Sequence, residues 1–326
     1  MNPALIRSAF TEPQWTRLHD LAEVVDDEPL ATFTDERATA VLRRVEVLLG
    51  HWGCPTLDAQ ALEKAPELRL LAYAAGSVKE WSTITDDVFD RKVLVTSAAA
   101  ANAVPVAEFT VAAIVFANKG VFLAREWLRD PDGPKARRPK PVGNYGKRVG
   151  IVGASHVGRK TIELLRPFDL DVVVADPYLD ERAASEIGVR KVELDELVAT
   201  SDVVSIHAPD LPETRHLVGA AQLAAMKDGA VLINTARGAL VDTEALEAEL
   251  ATGRISAVLD VTDPEPLPRT SRLYDLPNVF LTPHVAGSQG SELARLADLA
   301  LDEIERYVRG EPPLHPITRE ALARIA

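Results

Sequence analysis

Between Lys147 and His284 the chain passes through six short runs that are apolar at almost every position. They are RVGIVG (148–153), DVVVAD (171–176), DVVSIHA (202–208), AVLINTA (230–236), ISAVLDV (255–261) and NVFLTPH (278–284). A strand with one wet face alternates apolar and polar residues; a strand apolar throughout is covered on both faces. Helical patterns separate most of the runs: KTIELLRPF, ELDELVAT, AAQLAAM and TEALEAELATG. The last is predicted to start at an Asp242 or Thr243 cap and to stop at Gly253. Strand and helix alternating over this length imply a parallel sheet with helices on both faces.

The first hundred residues follow the same grammar more loosely. VEVLLG (45–50), LRLLAYA (68–74) and KVLVTSA (92–98) read as buried parallel strands, with a helix over TLDAQALEKAP (Leu57, Ala61, Leu62) ended by Pro66. One long helix is expected from about Val106 to Arg129. A Pro-rich and basic surface loop, PDGPKARRPKPVGNYG, follows it. The segment SELARLADLALDEIERYVRG has apolar residues at helical spacing and ends at Gly310.

At 326 residues the chain exceeds one ordinary core, so two domains are expected. A composition 47% hydrophobic and 26% charged places it among folded globular proteins. The net charge of −13 argues against nucleic acid or an anionic membrane as partner, because both would repel it. With Cys54 as the single cysteine no intramolecular disulfide can form, which fits a reducing cytoplasm. The N-terminal MNPALIRSAF lacks the pattern of a secretory signal. Glu108, Asn118 and Lys119 within the most apolar stretch, 103–124, argue for a buried helix rather than a membrane span. A cytoplasmic protein is expected.

RVGIVG runs straight into Gly153-Ala154-Ser155-His156-Val157-Gly158, with a helix predicted to leave from Gly158. This is the setting of the dinucleotide fingerprint G-x-G-x-x-G, in which the first glycine allows the turn and the third lets helix and strand pack. Serine replaces the middle glycine. Ser155 is small and carries a donor, so its hydroxyl is expected to face a phosphate oxygen beside the helix N-terminus, with His156 adding another donor. Asp176 ends the next strand, where its carboxylate would accept both hydroxyls of an adenosine ribose and repel a 2′-phosphate. The expected cofactor is therefore NAD rather than NADP.

From about Val106 to Ser288 the sequence resembles the D-isomer-specific 2-hydroxyacid dehydrogenases. The resemblance rests on the fingerprint with Asp176, then SIHAPDLPETRHLVG, LINTARGALVDTEAL, AVLDVTDPEPLP and LTPHVAGS, in that order. It implies that Arg237 of NTARG grips the substrate carboxylate and the polarised carbonyl, for which a planar guanidinium is suited. It implies that His284 of TPH is the acid/base and that Glu265 of DPEP pairs with it, orienting the ring and favouring its protonated form. All three follow strand ends on one sheet, the carboxyl edge where open α/β folds place ligands. By the same resemblance Asp260 lies near the nicotinamide amide, and Thr235 and Ala236 contact the cofactor through their backbone. His207, with Ala208, Pro209 and Thr214, lines the cofactor crevice, a packing role for His207 being an equal alternative. Ala286 and Gly287 complete the cofactor set. Gly76, Ser77 and Val78 of AAGSVKEW present amides to the substrate carboxylate, although the family more often has a second glycine at Ser77. Trp52, in GHWGCP, would bring an aromatic group rather than a cation to the cleft edge, which argues against a phosphorylated substrate. No metal is expected, and His19, His51, His216 and His315 are expected at the surface.

The expected architecture is α/β, with two Rossmann-like domains built on parallel sheets and a cleft between them. The substrate domain is discontinuous, covering 1–102 and 289–326, and the NAD-binding domain covers 103–288. The resemblance implies a homodimer built on the 106–129 helix, and a small 2-oxo or 2-hydroxy acid as substrate. Two alternatives stay open. A formate dehydrogenase of this fold would be expected to carry Gln at position 265, and an NAD-responsive corepressor-type binding protein can retain the same triad.

Overall fold

The computed structural model describes residues 9–79, 83–129, 132 and 142–325. The chain forms two compact units, Met1–Ala103 with Ser288–Ala326, and Val104–Gly287.

The first unit is built on a three-stranded parallel sheet, β1 (Val47–Gly50), β2 (Leu70–Tyr73) and β3 (Leu94–Ser97), in that order. The central strand is buried at every position because the sheet is covered twice. Leu71 and Tyr73 pack into a cluster with Leu57, Leu62 and Val95. Leu70 and Ala72 point the other way, into a cluster with Leu296, Ala297, Ala300 and Ile304 of the helix Leu293–Val308. That helix is also tied to the helix Glu12–Leu21 by Gln14, whose amide donates to Asp298 Oδ1 at 2.6 Å and to Ala294 O at 2.8 Å.

The second unit holds a seven-stranded, fully parallel sheet. Its strands are β4 (Arg148–Val152), β5 (Asp171–Ala175), β6 (Arg190–Lys191), β7 (Val203–Ile206), β8 (Val231–Asn234), β9 (Ser256–Leu259) and β10 (Val279–Leu281). The spatial order is β10-β9-β8-β7-β4-β5-β6. The chain winds outward from β4 in one direction and from β7 in the other, so the strand order reverses between them, where open sheets bind their ligands. Apolar clusters cover the sheet on both faces.

The predicted strands are present but shorter than the apolar runs, because the run ends serve the loops: Asp176, His207, Thr235, Asp260 and His284 all lie just past their strands. β6 carries Arg and Lys and has no apolar signature. The expected single helix over 106–129 is two, Ala99–Asn118 and Val121–Arg129. Gly120, at φ +64, breaks it in the left-handed conformation that glycine adopts without penalty. The first helix begins seven residues early and carries Pro105 in its interior. It is long and apolar enough to cross a membrane by length and composition. Ala113, Ile114 and Ala117 instead pack against Val149 and Ile151 of β4. Most of the predicted basic loop, 133–141, lies outside the described residues.

Candidate active site

At the carboxyl end of β4 the chain turns at Gly153, with φ +96, into the helix His156–Leu165. A side chain at Gly153 would put its Cβ 2.6 Å from the Ala208 amide nitrogen, and one at Gly158 would lie 2.1 Å from Gly153 O. Both glycines are therefore fixed by backbone approach. Position 155 is different. Ser155 is the helix N-cap at φ −65 and ψ −179, an extended conformation open to any residue, and its Oγ accepts from the Gly158 amide at 3.3 Å. The fold needs no glycine there, and the serine caps the helix. The helix thus begins at His156, two residues before the expected start. His156 is exposed, Val157 is half-buried, and the first amides of a helix have no partner within it.

Asp176 closes this turn from the end of β5. Its Oδ2 accepts from the Ala154 amide and its Oδ1 from the Tyr178 amide, both at 2.7 Å. Arg159 Nε donates to Ala154 O at 2.9 Å, fixing the turn from the helix side. A bare glycine backbone, a helix N-terminus and an acidic strand end suit a dinucleotide, the helix N-terminus for its pyrophosphate and Asp176 for its ribose.

Of the two roles open for His207, crevice lining and packing, its burial favours packing. Its ring is 3% exposed, Nε2 shares a 2.9 Å hydrogen bond with Ser205 Oγ, and burial pushes its pKa down to about 3. It is a neutral packing residue beside the fingerprint, and its backbone and that of buried Ala208 back Gly153. Pro209 is half-buried. Thr214 accepts from the Leu211 amide at 2.8 Å and donates to Pro209 O at 2.6 Å, so its hydroxyl folds the turn that follows.

Arg237 follows β8 and is half-buried. Two neighbours that sequence reasoning did not single out hold its turn. The buried Asn234 donates to Arg237 O at 2.8 Å and accepts from the Ala236 amide at 3.0 Å. Gly238 sits so close to the β9 loop that a Cβ would come within 2.0 Å of Thr262 C. Thr235 is buried, its hydroxyl 3.0 Å from that of Thr110 on the helix Ala99–Asn118. Asn234 and Gly238 lie inside the quoted NTARG block, where spacing around the arginine was the available signal.

The β9 and β10 loops bring the other two candidates together. His284 Nδ1 lies 2.8 Å from Glu265 Oε1, with the side chains 38% and 42% exposed. His284 has φ +53, a left-handed backbone that costs a residue with a Cβ about 1 kcal/mol or more. Asp260, 2% exposed, spends its carboxylate on this loop: Oδ1 accepts from Thr282 Oγ1 at 2.6 Å and from the Val285 amide at 2.9 Å, and Oδ2 from the Ala286 amide at 2.9 Å. The carboxylate is thus turned toward its own loop. Ala286 is buried and Gly287 half-buried beside it.

In the first unit, Trp52 is half-buried and packs edge-on against His51, with ring centroids 4.9 Å apart. His51 is fully buried rather than exposed, accepts from the Trp52 amide at 2.9 Å, and is pushed down to about 4 by burial. Gly76 is buried, its carbonyl bonded by Ser97 Oγ. The Ser77 hydroxyl accepts from the Lys79 amide at 3.1 Å, the Val78 side chain is in the core, and Val78 O accepts from the Thr83 amide at 3.0 Å. Among the described residues, no cluster of His, Cys, Asp or Glu is arranged to hold a metal ion.

Comparison with known proteins agrees with this geometry. Residues 111–286 match the sequence profile of the D-isomer specific 2-hydroxyacid dehydrogenase NAD binding domain. The chain is 33% identical to a glyoxylate reductase of Korarchaeum cryptofilum over 82% of this chain and 81% of that one. It is 28% identical to a D-3-phosphoglycerate dehydrogenase of Methanocaldococcus jannaschii over 94% of this chain, and so spans only 58% of that longer protein. The crystal structure of the TT0316 protein from Thermus thermophilus superposes with a TM-score of 0.72 at 30% identity, covering 95% of this chain and 97% of that one. The chain belongs to the D-isomer specific 2-hydroxyacid dehydrogenase family, and residues 111–286 are its NAD binding domain.

Proposed function

We propose that the protein interconverts a small 2-oxo acid and the D-2-hydroxy acid, with Arg237 binding substrate, His284 as acid/base and Glu265 orienting the histidine. The observation that carries this reading is the 2.8 Å bond between His284 Nδ1 and Glu265 Oε1 beyond the strand ends of the NAD binding domain. With Nδ1 held by the carboxylate, Nε2 is the ring atom that gives a proton to the carbonyl oxygen during reduction and takes it back during oxidation. Arg237 offers a planar fork to the substrate carboxylate and polarises the adjacent carbonyl. Glu265 orients the ring for proton transfer in reduction; a hydride transfer from formate would not require that proton. When bound, NADH supplies the hydride. Asp176 selects NADH over NADPH, since a 2′-phosphate would meet a carboxylate already fixed by two amides.

An unphosphorylated substrate is favoured by two observations. The glyoxylate reductase matches over about four-fifths of both chains, and Trp52, not a cation, occupies the loop after β1. A homodimer through the two helices Ala99–Asn118 and Val121–Arg129 completes the proposal; Phe116 and Leu128 there are 49% and 68% exposed. The protein would work in the cytoplasm.

The test is NADH oxidation against a panel of 2-oxo acids, with His284→Ala and Glu265→Gln in parallel. Turnover of glyoxylate or a close homologue is expected, abolished in His284→Ala with NADH affinity retained. Glu265→Gln should lower kcat with NADH affinity retained. NADH binding without turnover of any 2-oxo acid would overturn the enzymatic reading in favour of a binding protein.

A further inference from the structure

We propose that the segment 314–325, which follows the helix Leu293–Val308, is a positioning element for the loop 76–79 and thereby sets the affinity for the 2-oxo acid. This rests on the functional reading above and deepens it: residues 76–78 are those whose amides the family resemblance assigns to the substrate carboxylate.

The helix stops at Gly310, at φ +69, and prolines follow at 312, 313 and 316. Proline cannot continue a helix, so the chain leaves extended. β3 is the outer strand of its sheet, with one row of backbone groups to satisfy. The segment closes that edge as an antiparallel partner, Thr96 facing Pro316. The Ser97 amide donates to His315 O at 3.3 Å, and the Ile317 amide to Val95 O at 2.8 Å. Glu303, 2% exposed, fixes the entry: its Oε1 accepts the Leu314 amide at 3.0 Å and the His315 amide at 2.7 Å. Thr318 then caps the short helix Arg319–Leu322, and Arg319 donates to Asp90 Oδ1 at 2.7 Å and to Asp86 O at 3.0 Å.

Three contacts carry this anchorage to the loop. Ser97, whose amide holds the segment, donates its hydroxyl to Gly76 O. Ile317, Leu322 and Ile325 pack against the apolar cluster that contains Val78. Lys79 donates from Nζ to Ile325 O at 3.3 Å, and its own amide is held by Ser77 Oγ. The loop is thus fixed at its first carbonyl, at its core side chain and at its last residue. Released, it would hold the binding geometry for only part of the time, and the apparent affinity for substrate would fall by that fraction. Ground state and transition state use the same amides for the carboxylate, so the loss should fall on KM and leave kcat nearly unchanged. The dinucleotide turn belongs to the other unit, so NADH affinity should not follow.

The experiment compares a chain ended at Arg324, Lys79→Met, Lys79→Arg and the truncated chain carrying Lys79→Met, reading KM for the 2-oxo acid, kcat and NADH affinity. The truncation and Lys79→Met should each raise KM by about fivefold or more, with kcat and NADH affinity within about twofold of wild type. Lys79→Arg keeps a donor and should restore a KM near that of wild type. Truncation and Lys79→Met remove the same contact, so the combined variant should be no worse than the truncation alone. Unchanged KM in both single variants overturns the proposal. So does a further rise from Lys79→Met in the truncated chain that fades at high salt, which would make Lys79 a charge attracting substrate. Should the truncated chain not fold, the pair at position 79 decides: a KM raised in Met at high salt and restored in Arg supports the tie, and a wild-type KM in Met refutes it. If the wild type turns over no 2-oxo acid, the functional reading fails separately. The brace is then tested by amide hydrogen exchange. Exchange at residues 76–79 should quicken in Lys79→Met while residues 153–158 keep the wild-type rate, and unchanged exchange at 76–79 refutes positioning.

Discussion

Acid should loosen the NAD binding domain through His207 at a pH well above that of carboxylate titration. An unfolded histidine takes a proton near pH ~6.5, whereas burial holds the His207 ring neutral down to about pH 3. Between those values the unfolded chain carries one proton more than the fold, so stability rises with pH across the window and is complete only above ~6.5. At about pH 5 the span already crossed is roughly 1.5 units, and at ~1.4 kcal/mol per unit the loss is about 2 kcal/mol. Much of a domain's margin of about 5–15 kcal/mol is then at stake. His51, pushed down to about 4, should cost the other unit a similar amount. Carboxylates enter later. Burial alone would raise Asp202, but the Arg148 amide and Lys147 hold it below the usual range, so its contribution is lost only at stronger acid. The assay is urea unfolding of wild type and His207→Gln at about pH 7.5 and about pH 5, followed by a probe in the NAD binding domain. Gln can keep a hydrogen bond to Ser205 but takes up no proton, so the variant should gain about 2 kcal/mol on the wild type between the two conditions. Curves that fall in parallel would refute the argument, because they would mean that the ring is reached by water and protonates in the folded protein.

Three further outcomes follow from the site. Arg237→Lys should lower kcat/KM for a 2-oxo acid by about 100-fold, roughly 2.7 kcal/mol, because a point charge cannot reproduce the two-pronged grip; NADH affinity measured by fluorescence should stay within a few-fold. Ser155→Gly should bind NADH within a few-fold of wild type and lose only a few tenths of a kcal/mol of stability, since glycine is itself a tolerated cap. Ser155→Val should abolish binding, and normal NADH affinity in that variant would remove the turn from phosphate recognition. Gly238→Ala should cost roughly 1–3 kcal/mol in a melting experiment and displace Arg237, since the new Cβ meets the Thr262 backbone rather than a side chain that can swing away; an unchanged melting temperature would contradict the packing.

What the sequence revealed of the fold followed burial. Every strand of the second sheet covered on both faces was legible as an apolar run, and the one that escaped, β6, is a two-residue edge strand of Arg and Lys with no apolar face to show. The break at Gly120 lies inside a continuous helical pattern, and the helix expected from about Val106 carries Pro105 in its interior. Turn chemistry separated more finely. Gly153 and Gly158 stood out because their backbones touch other backbones, while Ser155 looked anomalous only against a pattern. In this turn position 155 is extended and exposed enough for a cap, so the pattern's glycine is not demanded by the fold.

The site residues divide along the same physical line. Arg237, Glu265 and His284 are polar side chains just beyond apolar strands, and a sequence exposes such residues because nothing in a core calls for them. The residues that hold them are harder to see. Asn234 acts through hydrogen bonds to neighbouring backbone, Thr282 through one to the Asp260 carboxylate and Gly238 through the absence of a side chain, and none of these leaves a period or a spacing. Asp260 shows the limit best. A carboxylate at a strand end in this fold reads as a ligand contact, and it takes the three-dimensional course of residues 282–286 to show its oxygens turned back on the loop that carries the histidine. For His207 a crevice role and a packing role were equally open in the sequence, and at 3% exposure with Ser205 as its partner the ring packs behind Gly153. In both cases the burial of a single polar side chain is a property of the folded chain, not of its local sequence.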